Sequence, residues 1–286
     1  MYTGTAGGGV QSKLPQESGR PGWEAHLQLG FIAINGKTVL KHRSHRGPLV
    51  VQRPFYPEDG VCHVYLLHPP GGVVAGDRLA IDIAVAQDGA ALLTTPAAGK
   101  FYRSAGDLAR QSVSMTVAGG AALEWLPQET IIYEGARLKS EMRIELDAGA
   151  RFIGWDMLAF GRPAAQEGFN YGTAGLSWHI SRAGKPFYLE RLQLDAEAFT
   201  ARWGLNGCSA CGTLFACPAP PQTLETVRQL IGEQQGLGVT RIDDMLVCRG
   251  IDARADRLRH FFQQIWTAIR EDVVGRGAQP PRIWAT

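Results

Sequence analysis

The residues with the most chemical potential in this chain are carboxylates placed beside turns: Asp77, Glu124, Glu129, Asp156, Glu167 and Glu190. Asp77 ends the stretch Tyr65-Leu66-Leu67-His68-Pro69-Pro70-Gly71-Gly72-Val73-Val74-Ala75-Gly76-Asp77. Gly71 and Gly76 have the spacing of a phosphate-binding loop, but Asp77 stands where that loop needs lysine. A carboxylate there repels phosphate and attracts a cation. The stretch therefore argues against nucleotide chemistry and for a turn that presents His68 and Asp77. Its plainer reading is a tight loop between two strands, with glycine supplying positive φ. Asp156 lies in Trp155-Asp156-Met157-Leu158-Ala159-Phe160, apolar on both sides, so enclosure is expected and a partner is required. Glu124, beside Trp125 in an apolar strand, is an unusual burial if it faces inward. For the other carboxylates a solvated turn or strand residue is the simpler reading.

Other chemistry is thinner. His42-x-x-His45 sits among Lys41, Arg43 and Arg46, cations that disfavour a divalent metal, and reads as a basic surface loop. His63 and His68 flank an apolar strand, where a satisfied imidazole is commoner than a ligand. Cys208-Ser209-Ala210-Cys211 is a C-x-x-C without the second pair a structural zinc site needs. Its Gly- and Pro-rich flanks do not suit a redox motif, so incidental thiols are the better reading. No nucleophile elbow or Ser/His/Asp order appears. A hydrolase using Glu124 or Asp156 and a C-x-x-C metal protein stay as alternatives.

These groups must be positioned by a chain of 286 residues, 45% hydrophobic and with a formal charge of +2. That length allows one large domain or two small ones, and the charge is too balanced to suggest nucleic acid or an acidic membrane. No apolar run is long enough to span a bilayer, and the first residues lack a signal-peptide pattern. Five cysteines make no disulfide framework, and the cytoplasm is the expected compartment. Residues 1–20 read as a flexible tail, and 21–286 as one β-rich domain.

Three segments share the form strand, Gly-Ala turn, strand: Leu79–Thr95, Val113–Leu126 and Met142–Trp155. Their turn glycines Gly89, Gly120 and Gly149 recur 31 and 29 residues apart. That period marks stacked supersecondary units, here a β-solenoid or layered sheets. Each turn is expected to reverse the chain. Strands should dominate residues 23–200. Helices are expected at 223–235 and 253–274, the second from an apolar stripe through Leu258, Phe261, Phe262, Ile265, Ile269 and Val273. Arg257, Arg259, Arg270 and Glu271 read as lying off that stripe. Gly275 stops the helix, Met245–Val247 reads as a strand, and the terminal Trp284 reads as docked or as a partner contact.

His68-Pro69-Pro70-Gly71-Gly72 with Gly76-Asp77 resembles the signature of the urease accessory protein UreD family, called UreH in some organisms. Further blocks match in order: Gly47–Tyr56, Lys100-Phe101-Tyr102-Arg103-Ser104, Leu123–Glu129, Trp155-Asp156, Gly161-Arg162-Pro163 and Pro281-Arg282-Ile283-Trp284. They cover nearly the whole chain. The resemblance implies a β-helix-like fold and a non-enzymatic maturation factor working with UreF, the GTPase UreG and apo-urease. It also implies Ni²⁺ in transit through an internal tunnel, with no resident cofactor. Carried over residue by residue, the tunnel acids are Asp77, Asp156 and Glu190, with His68 a weaker metal candidate. Arg78 stands where many relatives have a second acid, which weakens Asp77 as a close ligand. Phe261, Phe262, Trp266 and Trp284 are expected as partner-binding residues.

Overall fold

The computed structural model describes residues 22–285. The tail expected over residues 1–20 lies outside them. The chain starts with an antiparallel hairpin, β1 (Glu24–Ile34) and β2 (Lys37–Arg46), then β3 (Val50–Val51) and β4 (Cys62–Leu67). One solenoid coil follows as β5 (Arg78–Val85), β6 (Ala90–Thr94) and β7 (Gly99–Phe101). The next is β8 (Ala109–Val117), β9 (Ala122–Trp125) and β10 (Thr130–Ile132). A third is β11 (Arg137–Leu146) and β12 (Arg151–Phe160), the latter running straight where earlier coils break in two. The hairpin β13 (Thr173–Arg182) and β14 (Lys185–Asp195) leads into a short α1 (Ala196–Thr200). The chain closes with β15 (Ala210–Cys217), α2 (Pro221–Ile231), β16 (Leu237–Ile242), β17 (Met245–Asp252) and α3 (Ala255–Val274). The mainly-β, stacked expectation holds, with its two helices as α2 and α3.

The coils stack in parallel and form two facing sheets. β1, β5, β8, β11 and β13 pair in parallel in one, edged by β2 and β14. β4, β6, β9 and β12 pair in parallel in the other, which continues antiparallel through β15, β17 and β16. So the Gly-Ala turns are corners carrying the chain from one sheet to the other, not hairpin reversals. A Gly-containing turn gives the same local signal in both cases, which explains the misreading. The repeat register also shifts. Ala90 aligns with Ala122 and Arg151, so Gly89 matches Ala121, and the left-handed corner residue is Asp88 (φ 58°), then Gly120 (φ 73°) and Gly149 (φ 79°). Asp is one of the few side chains that tolerate this region.

Strand alternation places one core between the sheets and another under the helices. Leu79, Ile81, Ile83 and Val85 face inward with Val113, Met115 and Val117. On the far face of the second sheet, Ile153, Trp155 and Met157 meet Phe261, Phe262, Ile265, Trp266 and Ile269 of α3. Phe262 and Trp266 are fully buried and Phe261 nearly so. Trp284 is half-buried, with its ring 5.7 Å from Trp155 and 5.2 Å from Trp266. Phe261, Phe262 and Trp266 therefore form core, correcting their assignment as a partner surface, and Trp284 is docked against that core. Burying each such side chain contributes about 1.5–3 kcal/mol, which is what the apolar stripe is for. Arg270 is corrected too: it lies on the buried face of α3, not off it. Residues 42–45, expected as a loop, belong to β2.

Candidate functional site

Asp156 occupies an inward position of β12, between Trp155 and Met157, which face α3. In the β12–β15 register Asp156 stands opposite Thr213, and Leu158 opposite Cys211. Two partly open cavities share Asp156 in their lining. One, of about 330 Å³, runs from His68 and Gly72 past Gln128, Thr130 and Met142. The other, of about 320 Å³, runs past Trp178, Cys211 and Thr213 to Glu190, Arg249 and Trp203. Asp156 is partly accessible, and it contributes to the walls of both cavities.

Enclosure sets the chemistry of Asp156. Burial pushes its pKa from 3.8 up to about 6, only partly opposed by a backbone hydrogen bond from Met157. No lysine or arginine pairs with it among the described residues. The Cys211 thiol, pushed up to about 12 by burial and then by the Asp156 charge, is protonated at neutral pH and is not a standing metal ligand. Gln128, which lines the first cavity, and Trp178, which lines the second, each carry a buried side-chain polar atom without a hydrogen-bond partner, Oε1 and Nε1 respectively.

The titratable residues lining the two cavities differ. At one, His68 is half-buried, and burial lowers its pKa despite the nearby Asp77 charge, which keeps the imidazole neutral. At the other, Glu190 of β14 pairs with Arg249 of β17 at 2.6 Å and accepts from the Tyr188 hydroxyl at 2.6 Å. Burial, then Glu190, raises Tyr188 to about 12, so it stays a donor. Glu190 is therefore an acid already held by a cation at the rim of its cavity. Asp77 has a bracing role. One of its oxygens accepts from Trp23 N at 2.8 Å and the other from Val74 N at 3.0 Å. It fixes the loop in which Gly71 and Gly76 take φ of 79° and 84°, and it lines neither cavity.

The other acids have structural partners. Glu129 pairs with Arg259 at 2.6 Å, and Glu167 pairs with Arg162 and accepts from Glu134 N. Glu124 is buried as suspected, but on the opposite face of the second sheet from Asp156. It accepts from Trp266 Nε1 at 2.6 Å and from Arg270 Nε at 3.0 Å. Arg270 also binds Glu58, whose other neighbour is His63 Nε2 at 2.8 Å. Burial alone would raise Glu58, but these two hydrogen bonds pull it down to about 2. Glu124 and Asp156, on opposite faces of a sheet, have no common substrate position, so they are not a two-carboxylate hydrolytic pair. Among the described residues, no cluster of three or more His, Cys, Asp or Glu side chains is placed to hold a metal.

Sequence reasoning missed Arg270, Glu58 and the lining residues Gln128, Trp178 and Thr213. Arg270 had a signal, since it follows Trp266 by one helical turn. The lining residues had none, because they converge only when the coils stack.

A family model described as UreD urease accessory protein matches residues 24–285. The chain is 44% identical over 278 residues to a urease accessory protein UreD of Pseudomonas putida strain W619, covering 97% of this chain and 99% of that one. A UreD of Alkalilimnicola ehrlichii is 43% identical over 271 residues, covering 93% and 92%. One from Dechloromonas aromatica is 42% identical over 290 residues, covering 97% and 100%.

Proposed function

This chain belongs to the UreD urease accessory protein family, and from that premise we propose that it conducts Ni²⁺ to apo-urease as a non-catalytic part of an assembly with UreF and the GTPase UreG. The observation that carries this reading is Asp156, a carboxylate raised in pKa by burial, without an ion-pair partner among the described residues, and shared by the walls of two cavities. A conduit must hold its cargo weakly. One carboxylate with water offers a divalent ion a brief stop, whereas several histidine or thiolate ligands would trap nickel. With a pKa near 6, Asp156 is mostly ionised at neutral pH and ready to receive a cation. Neutral His68 offers a nitrogen in one cavity. Glu190 offers a carboxylate in the other, once an arriving cation displaces Arg249. Asp77 acts on this path through the loop that it braces. No helix among the described residues is long and apolar enough to cross a membrane.

The test is an Asp156→Asn, Glu190→Gln double variant in a urease activation assay. The assembly with apo-urease should form as before, while the nickel content of urease falls. Normal nickel content with the double variant would defeat the reading.

A further inference from the structure

β2 is one of the two edge strands of the seven-stranded sheet, β14 being the other. Its first half is covered. Thr38 N donates to Gly60 O at 2.9 Å, and Lys37 Nζ sits 3.7 Å over the Tyr56 ring. A bulge between the pairs Gly30–His42 and Phe31–Leu40 then separates that half from Lys41-His42-Arg43-Ser44-His45-Arg46. All six of these residues are exposed. Among the described residues, only β1 pairs with their backbone, so the other edge of the strand is open.

Charge is concentrated on the same six residues. Arg46 has Glu24 at 3.1 Å, but Lys41 and Arg43 have no acidic partner among the described residues. The whole chain carries only +2, so this strand is a basic stripe on an otherwise nearly neutral molecule. An unpaired edge with unpaired cations is a stretch of chain with two unmet demands, for backbone partners and for carboxylates.

We propose that residues 41–46 are a docking strand for an extended acidic segment of a partner protein, which adds to the sheet edge beside β2. Main-chain hydrogen bonds supply the attachment, and side chains facing Lys41 and Arg43 supply the selectivity. A second copy of this chain is a poor occupant, because like charges would lie opposite each other across the new pair. Charged edges also deter unwanted pairing; an acidic strand is the partner for which that deterrent becomes an attraction. A nucleic acid would satisfy the cations but not the open row of amides and carbonyls. This surface stands apart from the ion passage.

The experiment uses the full chain and a fluorescently labelled decapeptide of alternating Thr and Glu, followed by anisotropy at low and high salt. The peptide should bind and weaken with salt. Lys41→Glu with Arg43→Glu should weaken it about tenfold, since two favourable surface pairs become repulsive. Both side chains are exposed, so the variant should melt as the parent does. A peptide N-methylated at every residue keeps its charge but loses the amide donors of both edges, and should bind about as poorly. Equal binding of the methylated peptide, absence of binding by the parent peptide, or tighter binding of mixed-sequence duplex DNA would each overturn the proposal.

Discussion

Replacing Asp156 with Asn should make the protein more stable and a worse conduit. Folding carries the Asp156 pKa from 3.8 up to about 6. Each pKa unit corresponds to about 1.4 kcal/mol, so ionised Asp156 destabilises the fold by about 2–3 kcal/mol at neutral pH. The sign follows from proton binding. Between the two pKa values the folded chain holds the proton and the unfolded chain has lost it, so stability falls as pH rises from about 4 to about 6 and then levels off. Asn keeps the shape and removes the titration. Thermal melts at neutral pH should show the variant roughly 5 °C above the parent, a shift expected for about 2–3 kcal/mol in a chain of this size. At about pH 5 the gap should shrink to about half, because the parent is then largely protonated. Nickel delivery to urease should fall in the same variant. Gain of stability with loss of function is the mark of a charge retained for its chemistry. A variant less stable at neutral pH, or a gap that does not change with pH, would show that Asp156 is a structurally paired carboxylate and refute this reasoning.

The helix clamp behaves in the opposite way. Arg270→Ala leaves Glu124 and Glu58 buried without their cation and should cost about 3–5 kcal/mol, read as a lower melting temperature. Phe262→Ala should cost about 3–5 kcal/mol by opening a cavity, and any loss of partner association should track loss of fold. Glu190→Gln removes a pair at a cavity rim; it should change stability by less than about 1 kcal/mol while lowering nickel delivery. Cys211→Ser should leave nickel delivery unchanged, since the thiol is protonated in the resting protein.

Much of the fold was legible because solenoid coils write their period into the chain. Strict alternation in Leu79–Val85 and Met142–Leu146 marked the strands, and the recurring Gly-Ala corners marked the coils. The direction of those corners was not legible, because whether a turn changes sheets or reverses depends on what stacks beside it. The α3 stripe showed that Phe261, Phe262 and Trp266 are apolar on one face, but not that the second sheet already covers that face. Of the candidate site, Asp156 stood out because an acid in an apolar strand needs a reason. Its role could not be read, since the two cavities draw their walls from strands more than a hundred residues apart, such as Val73 and Thr213. Asp77 was conspicuous for the same loop geometry that it holds together.

The central claim is that nickel travels through the space at Asp156. Thr213 faces Asp156 across the β12–β15 pair and lines the second cavity of about 320 Å³. A Thr213→Trp variant places an indole in that space. The measurement is nickel per urease active site after activation with this variant, alongside its melting temperature and its yield in the assembly with apo-urease. The account predicts a folded protein, an intact assembly and nickel reduced to the level found without the protein. Full nickel loading through the plugged chain would contradict it.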